Sequence, residues 1–252
     1  MTENKIQPHL KLAKVNKFCL VCGNPDRIPK IALELEEPRK VSVNRGLVTY
    51  NGRTSNKKIP ISVLTTGMGS PSTAIILEEA YRAGGRVFIR VGSCGALKPG
   101  MKVGDIVIPY AAIRDERTSL NFAPLAFPAA ASPEIYEKLC ESARKVNSFY
   151  HSGVVWTTDI YYSTDKDQYK KWAKRGANSV EMESAVIFIF GTVKALKTGS
   201  ILVVDGNLAE GTQKDDGING ENNTKFQQGV RIAIKCAIGA VEMFWSTRAE
   251  EP

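Results

Sequence analysis

The chain has 252 residues, of which 43% are hydrophobic and 24% are charged, and no apolar run approaches the roughly 20 residues of a membrane span. This size fits one domain over residues 1–252, and the lack of an apolar signal region in residues 1–17 leads us to expect a cytoplasmic protein. The net charge of +8 comes from Lys and Arg residues spread along the chain, which argues against a dedicated nucleic-acid binder and suits an enzyme of anionic substrates.

Short β-branched runs alternate with helical patterns along the chain. In chain order, the predicted strands are 18–22, 61–65, 87–91, 105–111, 153–157 and 200–204. The predicted helices are 72–83, 133–145, 182–196 and 225–246, the second with Ser132 as its N-cap and Pro133 in its first turn. This alternation predicts an α/β fold with a central twisted mixed sheet, mostly parallel, flanked by helices. Residues 210–223 predict a polar surface loop, with a lid over a site as the alternative.

Two of the five cysteines, Cys19 and Cys22, form a Cys-x-x-Cys pair within the first predicted strand. Alternation along a strand would place these two side chains on opposite faces of the sheet. The only histidines are His9 and His151, and an odd number of cysteines argues against a closed disulfide framework. We therefore interpret the pair as buried structural cysteines and expect no metal site, with a metal or redox role as the alternative.

Residues that suit an anion stand within or after several predicted strands. Arg90 lies inside the third strand, where an unpaired buried charge is costly, and the turn at Gly92 and Ser93 lets a ligand approach the backbone. Arg27 follows the first strand and Asp205 follows the last. Because ligands of α/β proteins gather at the carboxyl ends of strands, these residues predict a phosphate pocket that faces an acid. The alternative is that Arg90 pairs with a carboxylate for packing alone.

The same residues lie in six stretches that together have a familiar pattern: CGNPDRIPKIA, SVNRGLVTYNG, TTGMGSPSTAIILEE, IRVGSCGALKPGMKVGDIVI, SLNFAPLAFPA and SVEMESA. Through them, from about His9 to the C-terminal helix, the chain resembles the nucleoside phosphorylase family, which includes uridine phosphorylases and hexameric purine nucleoside phosphorylases. The resemblance implies the α/β fold of that family and a pentosyltransferase that cleaves a nucleoside to free base and ribose 1-phosphate. Inorganic phosphate would be a co-substrate, and no cofactor would be needed.

The resemblance also implies how phosphate is held. Gly23, Arg27, Arg90 and Ser93 would bind it, and Arg45 would reach the phosphate of a neighbouring subunit. Arg90 would act in catalysis, because phosphate held by arginines is both the nucleophile and the charge that stabilises a developing sugar cation.

For the nucleoside, the resemblance implies ligands for the sugar and for the base. The ribose ligands would be Glu181, Met182, Glu183 and, from a neighbouring subunit, His9. Tyr161 would stack on the base or the sugar. Asp205 would bond or protonate a purine base, which makes it the second expected catalytic residue. The partners implied are the nucleoside, phosphate and other copies of the chain, as a dimer or a trimer of dimers, with no nucleic acid and no membrane.

The identity of the base depends on a few positions. We expect inosine or guanosine, because Asp165 and Asp167 stand where the uridine branch carries a glutamine and an arginine. Uridine is the alternative, since SLNFAPLAFPA resembles that branch. The resemblance leaves open whether the catalytic acid of the purine enzymes corresponds to Asp205 or to Gly206. A nucleosidase and a non-catalytic nucleotide binder are further alternatives. The sequence leaves open whether the protein is a dimer or a hexamer, in which direction the reaction runs and whether 5′-methylthio or deoxy substrates are used.

Overall fold

The computed structural model describes residues 5–165, 167–212 and 220–249, which form ten strands in one sheet and six α-helices. The strands are β1 (Phe18–Cys22), β2 (Glu36–Asn44), β3 (Leu47–Arg53), β4 (Pro60–Thr65), β5 (Val87–Ala96), β6 (Ile106–Asp115), β7 (Ala129–Ala130), β8 (Tyr150–Thr158), β9 (Ala177–Glu181) and β10 (Lys197–Asn207). The helices are α1 (Arg27–Ala32), α2 (Gly69–Arg82), α3 (Pro133–Lys145), α4 (Gln168–Lys174), α5 (Ser184–Val193) and α6 (Gly220–Ala249). Short 3-10 helices span Thr118–Asn121 and Leu208–Glu210.

The six predicted strands and four predicted helices are all present, as β1, β4, β5, β6, β8 and β10 and as α2, α3, α5 and α6. The sequence analysis missed β2, β3, β7, β9, α1 and α4. Strand β2 is exposed along most of its length and so lacks an apolar run, and β7 has only two residues. The predicted loop over 210–223 is wrong at its end, because α6 begins at Gly220, and residues 213–219 lie outside the described part of the chain.

The start of α3 also differs from the expectation. Ser132 stands at the N-cap position with Pro133 after it, but its side chain does not cap the helix. The Ser132 hydroxyl instead accepts a hydrogen bond of 2.9 Å from the backbone N–H of Thr198, and so joins α3 to β10. A tertiary hydrogen bond thus uses the Ser132 hydroxyl oxygen, which the local sequence predicts as the N-cap acceptor of the helix.

The sheet is mixed, as predicted, and its parallel part organises the strand ends. Strand β1 is parallel to both β4 and β5, and β5 is parallel to β10, so these four strands end at one edge. Strand β5 also pairs with β9 and β10 pairs with β6, which closes β5, β9, β8, β6 and β10 into a barrel-like ring. Because β9 is antiparallel to β5, its last residues run back along β5 towards Arg90.

Helices cover both faces of the sheet. On one face α1, α3 and α6 pack against a cluster that includes Cys22, Ile89 and Val91. On the other face α2 and α5 pack against a cluster that includes Cys19 and Phe88. The two cysteines of the Cys-x-x-Cys pair therefore lie on opposite faces, both buried and free, as alternation predicts. Within the described ranges, no helix has the length and apolarity to cross a membrane.

Candidate active site

The centre of the site is the guanidinium of Arg90, which is buried between two carboxylates. Arg90 is only 4% exposed, its Nε donates to Oε2 of Glu181 at 3.1 Å, and its Nη2 lies 2.5 Å from Oε2 of Glu183. The side chain folds back over Gly92, where an added Cβ would lie 2.6 Å from the Arg90 Cζ. Gly92 is thus the residue that leaves space for the buried charge. Arg90 is paired with carboxylates, as the alternative interpretation of the sequence expects, and its binding of phosphate stays a prediction.

Glu181, the last residue of β9, organises the backbone around this pair. Its carboxylate accepts hydrogen bonds from the Thr157 hydroxyl at 2.5 Å, from the Glu183 backbone N–H at 2.9 Å and from the Ser184 backbone N–H at 2.8 Å, in addition to the bond from Arg90. The free N–H groups at the start of α5 are therefore satisfied by Glu181. This is why α5 begins at Ser184 and not at Met182, where the helix was predicted to start.

Glu183 joins the β9–α5 connection to the glycine-rich turn that precedes α2. Its Oε1 accepts a 2.7 Å hydrogen bond from the Gly69 backbone N–H, and the Ser70 hydroxyl donates to the Met182 carbonyl at 2.9 Å. Gly69 has a φ of +81°, a conformation that side chains disfavour. Gly23 completes the approach from β1, because a Cβ on it would lie 3.8 Å from the Glu183 Oε1.

Burial is the largest influence on the pKa of both members of the buried pair. It raises the pKa of Glu183, and the neighbouring Glu181 raises it further against the opposing effect of Arg90. Burial alone would lower the pKa of Arg90, but the Glu183 and Glu181 carboxylates outweigh it and the pKa is raised. Arg90 therefore keeps its charge, and Glu183 is the member of the pair whose protonation is favoured by the fold.

Arg27 approaches β5 from the other face of the sheet. It is 8% exposed, its Nη1 donates to the Val91 carbonyl at 3.0 Å, and its Cζ lies 6.0 Å from the ring centroid of Phe226. Alternation along β5 places Ser93, which is partly exposed, on the same face as Val91. A guanidinium has five N–H donors and this bond uses one of them, so Arg27 has donors to offer a ligand near Ser93.

Asp205 lies next to the end of β5 on the neighbouring strand. It is 5% exposed and stands at a bulge in β10, where pairing shifts between Val204, opposite Cys94, and Gly206, opposite Gly95. Burial raises the pKa of the Cys94 thiol, and the Asp205 carboxylate raises it further. A bulge changes the direction of a side chain relative to its strand, so the register shift at this point affects the orientation of Asp205.

The two residues expected to act across a subunit interface are linked through the β2–β3 hairpin. Arg45 is exposed at the tip of the β2–β3 hairpin, where Arg45 and Gly46 both have positive φ, as a two-residue turn requires. The preceding residue, Asn44, donates from Nδ2 to the carbonyl of His9 at 2.9 Å. The structure therefore holds the backbone of His9 against the hairpin whose tip carries Arg45.

The residues after β8 lie at the surface. Tyr161 is 53% exposed and its ring contacts that of Tyr162, with centroids 4.8 Å apart. Asp165 and Asp167 are paired with lysines of α4, namely Lys171 at 2.7 Å and Lys170 at 2.7 Å. These carboxylates are therefore held by their own helix, and stacking by Tyr161 stays a prediction.

Sequence reasoning missed the roles of the supporting residues, because these roles depend on contacts between distant segments. Thr157 bonds Glu181, Gly69 bonds Glu183 and Gly92 makes room for Arg90. The glycines of the strand-end turns were visible in the sequence as places of close approach. Nothing in the local sequence marks Thr157, since its hydroxyl becomes important only when β8 and β9 pair.

Comparison with known proteins places this geometry in context. The sequence model of the Phosphorylase superfamily matches residues 17–242 of the chain. A uridine phosphorylase of Treponema pallidum is 33% identical over 237 residues, which cover 90% of this chain and 90% of that protein. A purine nucleoside phosphorylase of Plasmodium falciparum is 34% identical over 237 residues, which cover 92% of this chain and 94% of that protein.

Solved structures show the same likeness. The crystal structure of purine nucleoside phosphorylase from Toxoplasma gondii in complex with immucillin-H matches with a TM-score of 0.87 at 28% identity, covering 98% of this chain and 99% of the other. Proteins named for uridine and for purine nucleosides thus match this chain to a similar degree, so the names do not separate the two classes of base.

The variant Glu183→Gln is expected to stabilise the empty protein at neutral pH. Because folding raises the pKa of Glu183, protonation of this carboxyl group stabilises the folded state. That contribution is present below the unfolded-state pKa and is lost as the pH rises through the folded-state pKa. The amide carries no charge to desolvate. Thermal unfolding across a pH series should therefore show similar Tm values for variant and parent in acid, with the variant gaining an advantage towards neutral pH.

The matched control for this series is Glu181→Gln. Its carboxylate accepts from Arg90, Thr157 and two backbone N–H groups, and an amide group cannot accept all of these bonds. We expect this variant to lower the Tm at neutral pH. A Glu183→Gln protein that becomes less stable than the parent as pH rises would contradict the inference that the fold disfavours the ionised form of Glu183.

Proposed function

This chain belongs to the phosphorylase superfamily and is a pentosyltransferase that acts on nucleosides, and from that premise we propose that its substrate is a purine nucleoside, inosine or guanosine. The reaction transfers the ribosyl group from the base to inorganic phosphate and gives free base and ribose 1-phosphate. The observation that carries the proposal is the buried Arg90, held between Glu181 and Glu183 at the edge where the parallel strands end. No metal has a part in the proposed chemistry.

On the phosphate side, the proposal uses donors in and around β5. Arg90, Arg27 and Ser93, with the backbone at Gly23, hold the phosphate as nucleophile. Breaking the glycosidic bond builds positive charge on the sugar, and the bound phosphate places negative charge beside it. Holding the nucleophile against the sugar also removes much of the entropic cost of bringing the two together.

On the ribose side, Glu183 accepts from the 2′ and 3′ hydroxyls, with Met182 beside it. The Gly69 N–H fixes Oε1 of this carboxylate, so its orientation is set before the sugar arrives. Glu181 has a different part in the proposal, because its oxygens already accept bonds from the backbone and from Thr157. We assign it to holding Arg90 and Glu183 in place.

On the base side, Asp205 acts as the acid that bonds or protonates the departing purine. The proposal for a purine is supported by Asp165 and Asp167, which stand where the uridine branch carries an amide and a cation and which are bound by lysines of α4. A site built to bond uracil discriminates through such groups, and two acids cannot replace them. Tyr161 provides the aromatic face for stacking.

Uridine phosphorolysis by the same residues is the second candidate. It is favoured by the likeness to the Treponema pallidum uridine phosphorylase, which is as similar as the purine enzymes. A nucleosidase that uses water is a weaker alternative, because hydrolysis has no need of the arginines that approach β5.

The proposed assembly is a dimer or a trimer of dimers in which His9 and Arg45 complete the site of a neighbouring subunit. The support is geometric. Gly69, which bonds Glu183, and Glu79, which bonds His9, lie ten residues apart on α2, and this is about 15 Å at 1.5 Å per residue. His9 is thus held at the far end of a helix whose near end forms its own subunit's site.

A paired assay of inosine and uridine, each with and without phosphate, tests the proposed reaction. We expect release of free base from inosine only when phosphate is present. Release from uridine only with phosphate would leave the phosphate site intact and overturn the assignment of the base. Release without phosphate would identify a hydrolase, and no release from either nucleoside would favour a nucleotide binder.

Asp205→Asn is expected to lower kcat for inosine by about 10²–10⁴-fold, because an amide cannot donate a proton to the leaving purine. A 7-methylated inosine already carries the positive charge that the acid would provide, so its cleavage should fall much less. Steady-state kinetics on both substrates measures this difference. Asp167→Asn, which alters an exposed carboxylate, is the matched control and should behave as the parent. Equal losses on the two substrates would remove Asp205 from the role of acid.

Mixing two inactive variants tests whether sites are shared. Arg45→Ala lacks the contribution to a neighbour, and Glu183→Ala lacks a residue of its own site. After dissociation and reassembly of an equal mixture, mixed dimers contain one complete site, so about a quarter of parental activity should return. Activity that stays at the level of the separate variants would show that each subunit uses its own Arg45.

A further inference from the structure

The segment around His9 is folded into a closed loop on the body of the protein. The Gln7 N–H donates to the Leu12 carbonyl and the Lys11 N–H donates to the Gln7 carbonyl, both at 2.9 Å. Leu10 is 2% exposed and belongs to the hydrophobic cluster beneath α2. His9 is therefore presented by an ordered loop with its own anchor in the core.

A single buried carboxylate, that of Glu79 on α2, holds this loop at three points. Glu79 is 6% exposed. It accepts from the His9 backbone N–H at 3.0 Å, from the Leu10 backbone N–H at 2.8 Å and from the His9 ring, where Nδ1 lies 2.6 Å from Oε1. These bonds use both oxygens of the carboxylate, so its position and that of the loop are fixed together.

The contact with the ring determines which nitrogen of His9 carries the proton. A carboxylate only accepts, so Nδ1 must be the donor, and in the neutral ring Nε2 is then an acceptor. The His9 side chain is 32% exposed. Asn44 holds the carbonyls of Pro8 and His9 from the opposite side, and the next residue is Arg45 at the hairpin tip.

We propose that Glu79 is a positioning residue for nucleoside binding: by accepting from the His9 ring and from two backbone N–H groups, it fixes the Nδ1–H tautomer and leaves Nε2 as an acceptor for a sugar hydroxyl in the neighbouring site. This proposal rests on the proposed function, since it takes a nucleoside as the ligand. It adds a residue that lies outside the phosphate, ribose and base sets assigned above. Glu79 touches no substrate and acts through His9.

A purely structural Glu79 would anchor the loop without affecting the tautomer, and nuclear magnetic resonance separates the two roles. The chain has two histidines, so the ring nitrogens of a ¹⁵N-histidine sample give two sets of signals. We expect His9 to show Nδ1–H in the parent at about pH 8.5, where a free imidazole is neutral. In Glu79→Gln, the backbone N–H groups of His9 and Leu10 bond the amide oxygen, which leaves the NH₂ group facing the His9 ring. An NH₂ group only donates, so Nδ1 must accept and His9 should change to the Nε2–H tautomer.

Two internal references accompany this measurement. His151 of β8 is paired at 2.9 Å with Asp105, the residue before β6, and its unchanged signals report an intact fold. The matched control variant is Glu78→Gln, the preceding residue on α2, whose carboxylate bonds Arg82 and Lys194 instead of the loop. It should leave the His9 signals as they are. Glu79→Asp keeps the charge but shortens the side chain by one methylene, and this variant is measured instead if Glu79→Gln does not fold.

Kinetics provides the functional half of the test. Glu79→Gln is expected to raise KM for the nucleoside about tenfold, the value of one hydrogen bond, with kcat and KM for phosphate within about twofold of the parent. His9→Ala should give a similar rise, and the double variant should show no further rise because Glu79 acts through His9.

The outcomes distinguish this inference from the proposed function. Unchanged His9 signals in Glu79→Gln, or effects of the two variants that add in the double variant, would overturn the positioning role. A His9→Ala enzyme with the parental KM would overturn it as well. If the parent cleaved no nucleoside, the proposed function and the nucleoside part of this inference would both fail, and the resonance measurement would still decide whether Glu79 fixes the tautomer.

Discussion

The burial of one positive charge, that of Arg90, is the constraint on which the site depends. A guanidinium that is 4% exposed needs hydrogen-bond acceptors in place of water, and here the side chains of Glu181 and Glu183 provide them. Both carboxylates come from the connection between β9 and α5. The pair therefore requires β9 to run antiparallel to β5 and Gly92 to lack a side chain.

The same requirement organises the surrounding turns. Glu181 closes the start of α5, and Glu183 accepts from the Gly69 N–H at the start of α2. Two helix starts, the end of β9 and the interior of β5 are thus joined through three charged side chains. Because each oxygen of Glu181 serves more than one donor, it is a structural centre, whereas Glu183 keeps a raised pKa and is the carboxylate that the proposed reaction uses.

Helix α2 connects this centre to a second one. Its first residue contacts Glu183, and Glu79, almost three turns later, holds the His9 loop. In the proposed assembly, one helix thus serves its own site at one end and a neighbour's site at the other. The length of α2 would then set the spacing between the residues that a subunit keeps and those that it offers.

Much of this protein was determined by its sequence. The β-branched runs predicted the main strands and the mixed sheet, because these depend on local pattern and on the general geometry of α/β sheets. The anion site that Arg90 and the glycine turns indicate stays a prediction. The resemblance to the nucleoside phosphorylases, now confirmed by the family match, rested on the same stretches. Only the tertiary structure decided the closure of the sheet through β9 and β10, the division of roles between Glu181 and Glu183, and the bonds from Glu79 to His9. Each of these joins residues far apart in the chain, and a local pattern holds no information on which distant oxygen a donor will meet.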